Sequence, residues 1–149
     1  MKLENQVCTI AQAKRLKELG IIQESIFFFW SDYDGYGANR ICLEKWNNGR
    51  EPECSIFTSA ELGAMLPKRL KASWKQPDTT GLGGEWQSSC NCSIEYRFDG
   101  KKNVYIVSYP LVASYSHRDE AKARAGLLIC LLEQKLITST DVNESLKAE

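Results

Sequence analysis

Cys90-Asn91-Cys92-Ser93-Ile94-Glu95-Tyr96-Arg97-Phe98, then Asp99-Gly100-Lys101-Lys102-Asn103, then Val104-Tyr105-Ile106-Val107-Ser108-Tyr109, is the stretch whose reading decides the fold class. In its first part Cys90, Cys92, Ile94, Tyr96 and Phe98 share one side, while Asn91, Ser93, Glu95 and Arg97 share the other. A period of two is the signature of a strand. Asp99 to Asn103 is turn chemistry, because aspartate, glycine and asparagine accept the backbone geometry of a reversal. The β-branched and aromatic residues of the third part make a second strand. The stretch therefore predicts an antiparallel β-hairpin, with its apolar side on the core and its polar side in water.

C-terminal to the hairpin, the spacing predicts the longest helix, from Ser116 or His117 to about Gln134. Asp119 and Glu120 sit in its first turn, where they suit the helix dipole. Ala121, Ala125, Leu128 and Leu132 form a stripe that Leu127, Ile129 and Leu131 broaden, so the helix is expected to lie covered on the sheet. Gly126 would allow close packing there. From Thr138 onward the chain is polar and is expected to fray.

N-terminal to the hairpin, Thr9 and Gln12 make a capping box for a short helix carrying Ala13, Leu16 and Leu19, which Gly20 ends. Ser25 to Trp30 reads as a buried strand, and Arg40 to Trp46 as its alternating hairpin partner across the turn at 31–37. Thr58 and Glu61 form a second capping box, opening a helix through Leu62, Met65 and Leu66 that stops at Pro67. Gln76 to Ser89, with Pro77, Gly81, Gly83 and Gly84, reads as a long irregular loop. The expected fold is α+β: an antiparallel sheet of about four strands packed by a long C-terminal helix, with two shorter helices. Residues 1–137 are expected to form a single α+β domain and residues 138–149 a polar C-terminal tail.

The 149 residues are 43% apolar and 26% charged, ordinary for a folded domain. Lysine plus arginine equals aspartate plus glutamate, 19 each, so there is no net positive field of the kind that grips long nucleic acids. The six cysteines are even in number, but Met1 to Gln6 lacks the apolar core of a signal peptide and Cys130 falls within an aliphatic helical pattern. A reducing, cytoplasmic setting is the expectation. Ile26 to Trp30 is the most apolar run and is only strand-length, so no membrane association is expected.

Chemistry-bearing constellations are few. His117 is the one histidine, and beside Ser116 and Asp119 it reads as a helix cap rather than a catalytic group. Cys90 and Cys92 lack the knuckle spacing of a zinc site. Asp32 and Asp34 before Gly35 lack the further ligands of a calcium loop. Gly81 to Gly84 lacks the lysine and hydroxyl of a phosphate loop. No catalytic residue, cofactor or metal ligand is expected, and an enzyme ranks third, because no nucleophile, base and stabiliser assemble from spacing. Two surfaces remain. Tyr33, Tyr36, Trp46, Trp74 and Trp86 sit in or beside expected loops, where aromatic side chains mark protein interfaces. Lys68, Arg69, Lys71 and Lys75 with Trp74 combine phosphate contact and stacking, as a single-stranded nucleic-acid module requires.

Three blocks carry a resemblance. They are Met1 to Cys8 with Ala13 to Gly20, Ser55 to Pro67, and Glu120 to Ala125 continuing to Leu132–Ile137. Together they resemble a group of small phage and prophage proteins of gut bacteria, of Bacteroides type, to which no activity attaches. The resemblance implies a phage-derived cytoplasmic protein and transfers no site. The expected function is a non-enzymatic accessory protein that binds another protein through loop aromatics; the alternative is nucleic-acid binding by residues 68–75.

Overall fold

Both capping boxes form. Gln12 N–H donates to Thr9 Oγ1 at 3.1 Å while Thr9 N–H donates to Gln12 Oε1 at 3.0 Å, opening helix α1 over Ile10–Glu18. Gly20, at φ 86°, lets Ile21 N–H reach back to the Leu16 carbonyl and close the helix. Helix α2, Ser59–Met65, opens the same way: Thr58 N–H donates to Glu61 Oε2 at 2.7 Å and Glu61 N–H to Thr58 Oγ1 at 3.3 Å. These elements come from a computed structural model that describes residues 3–31, 37, 39–43, 50–75, 85–110 and 112–147, with backbone alone at 4, 71–75 and 85–88.

The strands are β1 (Phe27–Trp30), β2 (Arg40–Cys42), β3 (Cys54–Ile56), β4 (Arg69–Lys75), β5 (Glu85–Asn91), β6 (Ser93–Phe98), β7 (Asn103–Tyr109) and β8 (Ala113–His117). All pairings are antiparallel, so the α+β class with antiparallel sheets holds. The expected sheet of about four strands does not form. Among the described residues three small sheets stand instead, ordered β2-β1-β3, β4-β5 and β6-β7-β8. The break falls at Cys92. The Cys90–Phe98 alternation belongs to two strands that change partner there, from β4 to β7, and Cys92 N–H turns to the Lys68 carbonyl at 3.4 Å. Glu85 to Ser89, expected in the irregular loop, is strand, paired residue for residue with β4.

The single long C-terminal helix is also corrected. Residues 113–117 pair with β7 as β8, and the chain then forms two helices, α3 (Glu120–Glu133) and α4 (Ser139–Lys147). Lys135 takes the left-handed conformation at φ 57°, and Leu136 N–H bonds the Leu131 carbonyl at 2.9 Å, which terminates α3. Residues 139–147 of the expected polar tail are helical, and Thr138 and Asp141 form a capping box there, with Thr138 Oγ1 donating to Asp141 Oδ2 at 2.6 Å and accepting from its N–H at 3.2 Å. Val142 is buried on the inner side of α4. Asn143 docks the helix on the end of α1, accepting from Ile22 N–H and donating to the Gly20 carbonyl, each at 2.9 Å.

Buried residues from Val7 to Val142 join one hydrophobic cluster. Helix α3 is its axis: Ala121, Ala123, Ala125, Gly126, Leu127, Leu128, Leu131 and Leu132 are all buried, and the helix packs on α1, α2, β7 and β8. Among the described residues, no helix is long and apolar enough to cross a membrane.

Candidate functional site

Antiparallel register assigns every side chain of the β6-β7-β8 sheet to a face. Ile94 lies opposite Val107, which lies opposite Tyr115; Tyr96 lies opposite Tyr105, which lies opposite His117. These rows share the face on which α3 packs. The helix covers the end of the sheet near the core: Val107 and Tyr109 are wholly buried. A Cβ at Gly126 would overlap the Tyr115 ring, so the small residue is what lets α3 approach β8. The Tyr109 hydroxyl donates to the Pro67 carbonyl, which ties the inner end of β7 to the segment before β4.

Among the described residues α3 packs on β7 and β8 and makes no comparably extensive contact with β6. Beyond the helix the apolar face is uncovered. Ile94 is 43% exposed, Tyr96 60% and Phe98 63%. The rings of Tyr96 and Tyr105 lie 4.7 Å apart, tilted by 43°, and hold each other in place. The side of this hairpin that the sequence assigns to the core therefore meets solvent along β6. Among the described residues, that strand also lies at the edge of its sheet, hydrogen-bonded to β7 alone. On its other face Arg97 Nη2 lies 3.6 Å from Glu95 Oε2, both side chains exposed. That face floors a shallow depression of about 460 Å³ lined by Glu95, Arg97, Ile106, Ser108 and Ser114 among others.

A second hollow, of about 280 Å³, is lined by Lys17, Gln23, Phe28, Glu51, Pro52, Cys54 and Ser55. The Ser55 hydroxyl is buried with no hydrogen-bond partner among the described residues. Burial raises the Cys54 thiol pKa, against the pull of Lys14 and Lys17, and leaves it a poor nucleophile. No histidine stands among the lining residues, and the pull of Lys17 does not offset the effect of burial on Cys54.

The other candidates from the sequence are scattered. Tyr33, Tyr36 and Trp46 lie outside the described residues. Trp74 and Trp86 are not loop residues: they occupy facing register positions in the β4-β5 hairpin. Lys68 and Arg69 are exposed, and Arg69, Lys71 and Lys75 fall at alternate positions of β4. His117 and Ser116 are neighbours on a strand and so point to opposite faces. The His117 Nδ1 accepts the Asp119 N–H at 3.0 Å, and burial lowers the pKa of the ring, so the neutral imidazole caps the approach to α3. Burial also raises the Cys92 thiol, which hydrogen-bonds Tyr109. Ile94, Tyr96 and Phe98 are the residues that sequence reasoning misses, because their pattern reads as interior. The period of two carries no signal of which side is covered, because it is the same on an edge strand as on a central one. No family model, curated protein or solved structure matches the chain.

Proposed function

We propose that the chain is a non-enzymatic protein-binding module that takes its partner on the aromatic face and open edge of β6. The observation that carries this reading is the exposure of Ile94, Tyr96 and Phe98 in one row beside Tyr105. Aromatic and aliphatic side chains in a contiguous exposed strip are what interfaces bury, because they remove large area from water at small entropic cost. An accessory role of phage derivation rests on the sequence resemblance alone. Tyr33, Tyr36, Trp46, Trp74 and Trp86 stand as sequence-based candidates for the same role.

The test is co-purification from phage-infected cells with the wild-type chain and with Y96K/F98K, whose two positions are solvent-facing. Recovery of one stoichiometric protein by the wild type, and its loss in a variant whose melting temperature is unchanged, supports the reading. Equal recovery by both chains overturns it.

Nucleic-acid binding is the second reading, and the alternation of Arg69, Lys71 and Lys75 along β4, next to exposed Lys68, favours it. It requires single-stranded DNA binding that weakens steeply with salt and is lost in K68E/R69E. Absence of binding at low salt removes it.

A further inference from the structure

We infer that the occupant of the β6 edge is β6 of a second copy of this chain, paired antiparallel about a two-fold axis through Tyr96. The inference rests on the reading of β6 as a binding surface and names what docks there. A strand hydrogen-bonded on one side presents a row of unpaired N–H and C=O groups on the other, which is a template for another strand. Most edge strands carry charge that repels such pairing. Here the charges are of alternating sign, Glu95 and Arg97, one residue either side of Tyr96.

A two-fold axis perpendicular to the sheet keeps the aromatic faces of both copies on one side, and register then decides which residues meet. Centred on Tyr96, the pairing sets Glu95 against Arg97 of the second copy and Arg97 against its Glu95. It also sets Ile94 against Phe98 in both directions, and Tyr96 against itself. Moving the axis to Glu95 sets glutamate against glutamate; moving it to Arg97 sets arginine against arginine. Like charges directly opposite one another destabilise antiparallel pairs, while opposite charges and apolar–aromatic pairs stabilise them. Among these three registers one alone satisfies every position. Within one chain Glu95 and Arg97 reach each other only at 3.6 Å with both side chains exposed, a contact of little worth, so both stay available to a partner. The product is a continuous six-stranded sheet, β8-β7-β6 of one copy joined to β6-β7-β8 of the other, with the Tyr96 and Phe98 rings of both copies side by side on one face.

The experiment uses the full chain and sedimentation equilibrium across a concentration series. The wild type is expected to show a monomer–dimer equilibrium. E95R and R97E each set like charges opposite twice, and each is expected to weaken self-association about 10-fold or more. An equimolar mixture of E95R and R97E, and the double variant E95R/R97E, are both expected to return to within a few-fold of the wild type. A wild type that stays monomeric to about 1 mM, single variants that associate as the wild type does, or a mixture no stronger than its components, each overturn the inference. These substitutions lie on the face away from Tyr96 and Phe98. If the wild type stays monomeric and still recovers a different protein from infected cells, self-pairing fails while the binding-surface reading stands.

Discussion

Two sheets of this molecule are built from similar residues and end in opposite environments. Strand β1 carries Phe27, Phe28, Phe29 and Trp30 at the centre of its sheet, and the last three are buried. Strand β6 carries Ile94, Tyr96 and Phe98 at an edge, and all three are exposed. The difference is not composition. On the core face of β1, helix α1 packs against β3 and Lys14 places its ammonium 5.3 Å from the Phe29 ring centroid. The ammonium is fixed in turn by Glu53 at 2.7 Å. On the corresponding face of β6, α3 has already crossed at Val107 and no described element extends the cover outward. Burial of these faces follows the placement of the packed helix, and the residues of β6 outside it are exposed.

Removing one ring from each sheet challenges this contrast most severely. Phe29→Ala should cost about 3–5 kcal/mol in chemical denaturation, the loss of a buried aromatic side chain and the cavity it leaves. Phe98→Ala should fall within about 0.5 kcal/mol of the wild type, as surface substitutions do. Similar costs at the two positions would mean that the β6 face is interior.

A smaller effect concerns the helices that cover the core. Thr58→Ala removes the Oγ that caps α2 and frees Glu61, whose other carboxylate oxygen also accepts the Ile26 N–H at 3.3 Å. The expected loss is about 1 kcal/mol in thermal or urea unfolding. Unchanged stability would show that α2 is held by packing alone.

A further effect is a pH dependence that is absent near neutral pH and develops only above pH 9. Burial pushes the Cys8 thiol from 9.0 up to about 12, against the opposing Phe57 N–H, which donates to its sulfur at 3.4 Å. A thiol with a raised folded pKa binds its proton more tightly when folded. Its contribution is whole below pH 9 and is lost as pH rises toward 12. Relative to Cys8→Ala, the wild type should therefore lose stability above pH 9, at no more than about 1.4 kcal/mol per pH unit. A difference between the two chains that is flat from pH 8 to 11 would contradict the burial of Cys8.

The features that can be read from sequence divide along the same line. The T-x-x-Q and T-x-x-E boxes at Thr9 and Thr58 and the glycine stop at residue 20 are local signals, and each produces its helix end. The T-x-x-D box at 138–141 is the same signal, hidden by the polarity of the residues after it; Val142 and Asn143 anchor that helix through contacts no local pattern encodes. The change of partner at Cys92 is likewise non-local, since an alternating run has the same appearance whether it keeps one neighbour or exchanges it. Most consequentially, period-two alternation identifies two faces without saying which is covered. The Ile94-Tyr96-Phe98 side reads as inward because it is apolar, and only the placement of α3 over β7 and β8 reverses that. Nothing in the sequence distinguishes the two cases except the self-complementary order Ile94-Glu95-Tyr96-Arg97-Phe98, which has meaning once the edge is known to be open.

Hydroxyl-radical footprinting of the chain at low micromolar concentration, read residue by residue by mass spectrometry, puts the covered and uncovered strands in one sample. Rapid oxidation of Tyr96 and Phe98 is expected, with Phe28, Phe29 and Trp30 protected by at least about an order of magnitude. Protection of Tyr96 and Phe98 equal to that of Trp30, in a chain shown to be monomeric, would contradict the open face of β6.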